Sequence, residues 1–112
     1  MKKYKSEISG HLDIIVTESA DDFEGEKETW KEIQIHGDPE GLKSLARLLI
    51  KLADTDQDKI DGLPIGAREH TSLRPKIDLS NSSEVVIVGR LDSKGTGRFY
   101  DRYIEKSNDK IE

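Results

Sequence analysis

Three histidines, His11, His36 and His70, are the side chains best suited to metal ligation or proton transfer, because imidazole titrates near neutral pH. Their spacing favours neither. A catalytic metal needs three convergent ligands and an open position, and no His-x-His or His-x-x-x-His pair sets two of these rings side by side. Glu69 and His70 are adjacent, and adjacent residues of a strand point to opposite faces, so they form no dyad by themselves. The run GRLDSKGTG, residues 89–97, brings three glycines and a lysine together, a composition suited to cradling phosphate. Lys94 precedes Gly95, however, and the full G-x-x-x-x-G-K-[ST] loop opening a helix is not there. A turn that ends a strand, its glycines at positive φ, fits better. Ser44, Ser72 and Ser93 sit in no nucleophile elbow. The chain therefore reads as non-enzymatic, with no cofactor and no metal. One alternative from the enzyme class is a small metal-dependent hydrolase built on His70, Glu69 and His36.

Binding chemistry is better represented. Trp30 is the one tryptophan, and strand parity sets it on the face opposite Ile33 and Ile35. Tryptophan and arginine are enriched among interface hot spots, so Trp30 is either a partner anchor or a cover for a sheet edge. Just before it, Glu18, Asp21, Asp22, Glu24, Glu26 and Glu28 stand against a single Lys27, with Gly25 near the middle. This is expected to be an acidic hairpin loop, serving as a binding surface or as a solvated tip. Phe99, Tyr100 and Tyr103 interleave with Arg98 and Arg102 and are expected to form a segment docked on the sheet. The candidate partner-binding residues are Trp30, Asp21, Asp22, Glu24, Glu26, His70, Arg90, Lys94 and Arg98.

Composition narrows the classes. A formal net charge of −5 repels nucleic acid phosphates and favours basic protein partners. With no cysteine there is no disulfide framework, no thiolate metal site and no cysteine nucleophile. The opening MKKYKSEISG has basic residues with no apolar stretch behind them, so no secretory signal and no membrane span is expected, and the location expected is cytoplasmic. Hydrophobic residues make up 33% and charged residues 37%, polar for a globular domain, yet the apolar positions fall in periodic runs.

The elements that must position these groups follow from that periodicity. Ile8, Leu12, Ile14 and Val16 alternate with polar residues over Glu7 to Thr17, a first strand in which Gly10 marks a bulge or a close approach. A second strand is expected from about Thr29 to His36. Gly37, Asp38 and Pro39 then give a turn, an N-cap and a first helical residue, and Leu42, Leu45, Ala46, Leu49, Leu52 and Ala53 draw an apolar stripe along a helix from Pro39 to about Asp54. About a dozen loop residues precede a third strand between Ala67 and Leu79, interrupted by Pro75, and EVVIVGRL, residues 84–91, is the strongest strand pattern. The fold expected is α+β in β-β-α-β-β order: an antiparallel sheet of about four strands with one long helix packed on one face. A single domain at 1–104 and a frayed tail at 105–112 complete the reading.

Three stretches, IHGDPEGLKSLARLLIKLAD, REHTSLRP and SEVVIVGRLDSKGTG, taken in order, resemble the immunity protein 32 family of bacterial polymorphic toxin systems. The resemblance runs from Glu32 to Gly97. It implies an α+β domain that binds and neutralises a cognate protein toxin, as a monomer or a homodimer. Where the family pattern carries a second histidine two residues after the first, this chain has Ser72, so no role rests on a histidine pair. A structural or regulatory homodimer, paired through an open strand edge, is the remaining alternative.

Overall fold

A long two-stranded ribbon dominates the computed structural model, which describes residues 5–107; residues 108–112 of the expected tail lie outside the described residues. Its strands are β1, Leu12–Phe23, and β2, Glu26–Gly37, antiparallel and in register from Leu12 opposite Gly37 to Phe23 opposite Glu26. Only Glu24 and Gly25 connect them, with φ of 52° and 82°. Two successive positive φ values are the signature of the type I′ turn, whose twist matches that of the flanking strands. The acidic loop expected between Glu18 and Glu28 is thus corrected: the strands run through it almost to the tip. Acidic residues are poor strand formers in isolation, but apart from Glu24 in the turn each here has a cross-strand neighbour and is exposed to water.

The helix α1, Pro39–Asp54, begins as the sequence demands. The Asp38 carboxylate accepts from Gly41 N at 2.7 Å and from His11 N at 3.0 Å, so the cap also ties the helix start to the chain entering β1. Gly10 and Gly41 are required by that crossing. A Cβ on Gly41 would stand 1.9 Å from the His11 carbonyl oxygen, and one on Gly10 would stand 2.6 Å from Gly41 N. This close approach turns the helix about its axis. Its buried side is Gly41, Ser44 and Leu48, while Leu42 and Leu49 of the expected apolar stripe stay exposed. Ser44 donates to Ser9 O at 3.0 Å and to Gly41 O at 2.9 Å, which makes a hydroxyl tolerable at the centre of the contact.

After α1 come a single 3-10 turn, Gln57–Lys59, then β3, His70–Leu73, and β4, Val86–Gly89, which pair antiparallel. The four strands therefore form two two-stranded sheets, and the single sheet with a helix packed on it is corrected. The reason lies in the seam. Ser80 N donates to Leu12 O and Glu84 N to Ile14 O, both at 2.9 Å, but Ile14 N finds the Ser83 hydroxyl where a continuing strand would offer a carbonyl. A turn, not a strand, lines the free edge of β1. β3 is cut to four residues because Pro75 has no N–H for a ladder. Segment 98–107, expected to be a short helix or an extended piece, forms no regular element beyond a turn at 101–102.

The core is small: Ile8, Leu12, Ile14, Leu48, Leu73 and Leu79, flanked by Leu45, Val86 and Val88. It reaches only the first two inward positions of β1. The radius of gyration is 17.9 Å, against about 13 Å for a compact domain of this length, and the longest dimension is 57 Å. Twelve-residue strands span about 37 Å, so the ribbon accounts for most of that elongation.

Candidate partner-binding surface

Beyond the core the ribbon is uncovered, and every residue from 20 to 33 is exposed. Alternation along paired strands sorts its side chains onto two faces. One face carries Leu12, Ile14, Val16, Glu18, Ala20 and Asp22, opposite Gly37, Ile35, Ile33, Lys31, Thr29 and Lys27. Its charges are matched, Glu18 across from Lys31 and Asp22 across from Lys27. The other face carries Asp13, Ile15, Thr17, Ser19, Asp21 and Phe23, opposite His36, Gln34, Glu32, Trp30, Glu28 and Glu26. This second face holds five carboxylates and neither lysine nor arginine.

Trp30 sits in the middle of the acidic face with 42% of its surface exposed. Its indole N–H donates to Glu32 Oε2 at 2.9 Å, and Ser19 Oγ donates to Glu32 Oε1 at 3.0 Å. These two donors, Trp30 first, hold the Glu32 carboxyl below its ordinary pKa. The indole is thereby fixed relative to a carboxylate that stays charged. Nearer the base, Asp13 accepts from Ser80 and Ser82, the latter at 2.6 Å, and more weakly from Ser83. The hydroxyls, led by Ser80, hold its carboxyl below the ordinary value too.

The nine residues singled out from sequence fall into separate groups. Trp30, Asp21 and Glu26 share the acidic face, Glu24 is in the turn, and Asp22 lies on the opposite face across from Lys27. Glu28 and Glu32 belong with Trp30 by strict alternation, a signal that the loop reading hides for Glu28 but that the expected second strand already carries for Glu32.

Arg90 and Lys94 are turned inward. Arg90 Nη1 donates to Leu52 O at 3.1 Å and Thr55 O at 2.7 Å, closing the end of α1, while its other donors reach the Asp92 carboxylate. Lys94 Nζ donates to Ile60 O and to Leu63 O, the latter at 2.6 Å. These are fastenings of the loop that follows the helix. Gly95 and Gly97, at φ of 83° and 70°, form the expected turn, and Gly95 N is held by Asp58 at 2.8 Å. His70 is exposed on β3 with Nδ1 3.1 Å from Arg68 O. Arg98 is exposed, 3.6 Å from Asp101. The aromatic C-terminal segment folds back to Arg68: the guanidinium groups of Arg68 and Arg102 stand over the Tyr100 ring, 3.9 and 4.8 Å from its centroid.

An open cavity of about 470 Å³ is lined by His70, Ile87, Gly89, Arg90, Leu91, Tyr100 and Arg102. It holds no carboxylate beside His70. Glu69 and His70 line a smaller cavity with Glu7, but His36 lies on the ribbon opposite Asp13, in the other sheet, and does not line it. Among the described residues, no group of three or more His, Cys, Asp or Glu side chains is placed to hold a metal. No helix among them is long and apolar enough to cross a membrane.

A family model described as Immunity protein 32 matches residues 32–91. The matched stretch takes in the second half of β2, all of α1, the 3-10 turn, β3 and β4, and leaves Trp30 and the ribbon tip outside it. No curated protein matches the chain, and neither does any solved structure.

Proposed function

The chain belongs to the immunity protein 32 family, and from that premise we propose that it is a non-enzymatic binding protein that neutralises a cognate bacterial toxin in the cytoplasm. Such a protein needs a complementary surface rather than catalytic groups. The observation that carries this reading is the uncovered ribbon. An isolated two-stranded hairpin is marginally stable in water, yet this one extends past its core with Phe23, Trp30 and Ile33 exposed at 69%, 42% and 70%. Exposed aromatic and apolar groups on a rigid, polar-rimmed element are what a partner buries. Arg90 and Lys94 support the scaffold in this account, and the contact is made by the ribbon.

The test is co-expression with the toxin-like product of an adjacent gene. Growth should be restored, and the two chains should co-purify at a fixed stoichiometry. Continued toxicity with no complex would overturn the proposal.

A further inference from the structure

The net charge of the molecule is concentrated in one place. Residues 18–32 contain seven carboxylates and two lysines, a balance of −5, which equals the formal charge of the whole chain. Of the 23 acidic and 18 basic residues overall, the remainder is 16 of each and therefore neutral.

The register then divides that charge unequally between the two faces. Both lysines lie across from a carboxylate on the face that carries Val16, Ile33 and Ile35. On the Trp30 face, Asp21 stands directly opposite Glu28, with Glu26 and Glu32 to either side and no cation among the ribbon residues. Like charges directly opposed in a sheet are destabilising. Among the described residues no ion pair relieves them, since the salt bridges there involve none of these four carboxylates.

We infer that the Trp30 face of the ribbon is the docking surface of the protein, and that its occupant is a cationic protein surface placing lysine or arginine side chains against Trp30, Asp21, Glu26, Glu28 and Glu32. The inference rests on the binding role proposed above and names its partner's chemistry. Complementary charge selects the partner and speeds encounter, and an indole face adds attraction for an ammonium or guanidinium group. Trp30 is pre-set for this by the hydrogen bond to Glu32, which lowers the ordering cost of binding. A second copy of the chain is the wrong occupant, because it would set one −5 ribbon against another; the same field excludes nucleic acid.

The full chain is titrated with an octa-arginine peptide and, separately, with the toxin-like product of the adjacent gene, at 50 and 200 mM salt. Two double variants change the charge equally: Asp21→Asn with Glu28→Gln on the Trp30 face, and Glu18→Gln with Asp22→Asn on the other. Thermal melts verify that each is folded. The first pair should weaken both interactions at least fivefold and the second less than twofold, and peptide binding should shift the emission of the lone tryptophan. Equal weakening by the two pairs, or no effect of either, would overturn the face assignment. A toxin complex unaffected by the first pair would leave the binding role standing while removing this surface. Absence of any toxin complex would remove the binding role, and the peptide titration would still decide whether the face receives cations.

Discussion

Asp21 and Glu28 occupy directly opposed positions in the register of the ribbon, on the face that also presents Trp30. Two carboxylates in that relation weaken the strand pair that carries them. Their retention at the centre of an uncovered face is intelligible if the face is completed by positive charge from elsewhere.

Removing either charge should therefore stabilise the free protein. Asp21→Asn or Glu28→Gln is expected to raise stability by roughly 0.2–0.5 kcal/mol at low ionic strength, the scale of exposed cross-strand charge effects. The gain should shrink above 0.5 M salt, where screening acts within a few ångströms. Urea midpoints at two salt concentrations check this, and a lower midpoint in the variants would count against it.

Gly41→Ala should destabilise, although alanine is the better helix former by about 1 kcal/mol. The added Cβ would lie 1.9 Å from the His11 carbonyl oxygen, which belongs to the backbone and has little room to move. A loss of about 2–3 kcal/mol is expected, in line with overpacked sites. Gly62→Ala is the control, since a Cβ there meets nothing within 4 Å. Equal effects at the two glycines would refute the close crossing.

Arg90→Ala should cost about 2 kcal/mol, because it strips donors from the Leu52 and Thr55 carbonyls and from Asp92 together. Arg90→Lys should recover only part of that, since an ammonium cannot reproduce the guanidinium fork. Binding to the partner should survive in both if they are assayed below their melting temperatures. Loss of binding by a folded Arg90→Lys would return Arg90 to the contact surface.

The expected pH dependence follows from Asp13. Hydroxyls of Ser80, Ser82 and Ser83 hold its folded carboxyl below the ordinary 3.8, so the unfolded chain takes up the proton first as pH falls. The stability it contributes is present above 3.8 and lost as pH drops through the folded value. Asp13→Asn should lower the urea midpoint at pH 7, and its gap from the native protein should close between neutral pH and pH 2. A gap that widens on acidification would contradict the assigned contacts.

Much of this architecture is legible before any coordinates. The Gly37-Asp38-Pro39 junction announces the helix start because capping is local chemistry, and Gly10 announces a bulge or a close approach, of which the helix N-terminus supplies the second. What escapes is set by tertiary packing. Carboxylates over residues 18–28 read as loop, since propensity cannot see that a two-residue turn at Glu24 and Gly25 will pair them. The apolar stripe through Leu42 and Leu49 reads as core, yet the His11 crossing selects Gly41 and Ser44 for burial. Arg90 and Lys94 read as surface cations because their carbonyl acceptors lie about 30 residues or more away along the chain. Parity alone sets Trp30 opposite Ile33 and Ile35 and puts Glu28 and Glu32 on its own face, while the carboxylate across from Glu28, Asp21, needs the register.

The central claim is that partner binding takes place on the Trp30 face. Trp30 is the only tryptophan of the chain, so protein labelled with 5-fluorotryptophan gives one fluorine resonance that reports on that face alone. Adding the toxin-like product of the adjacent gene should shift this resonance in proportion to complex formed, with an apparent Kd that weakens as salt rises. A complex demonstrated by mass in which the resonance does not move would contradict the account.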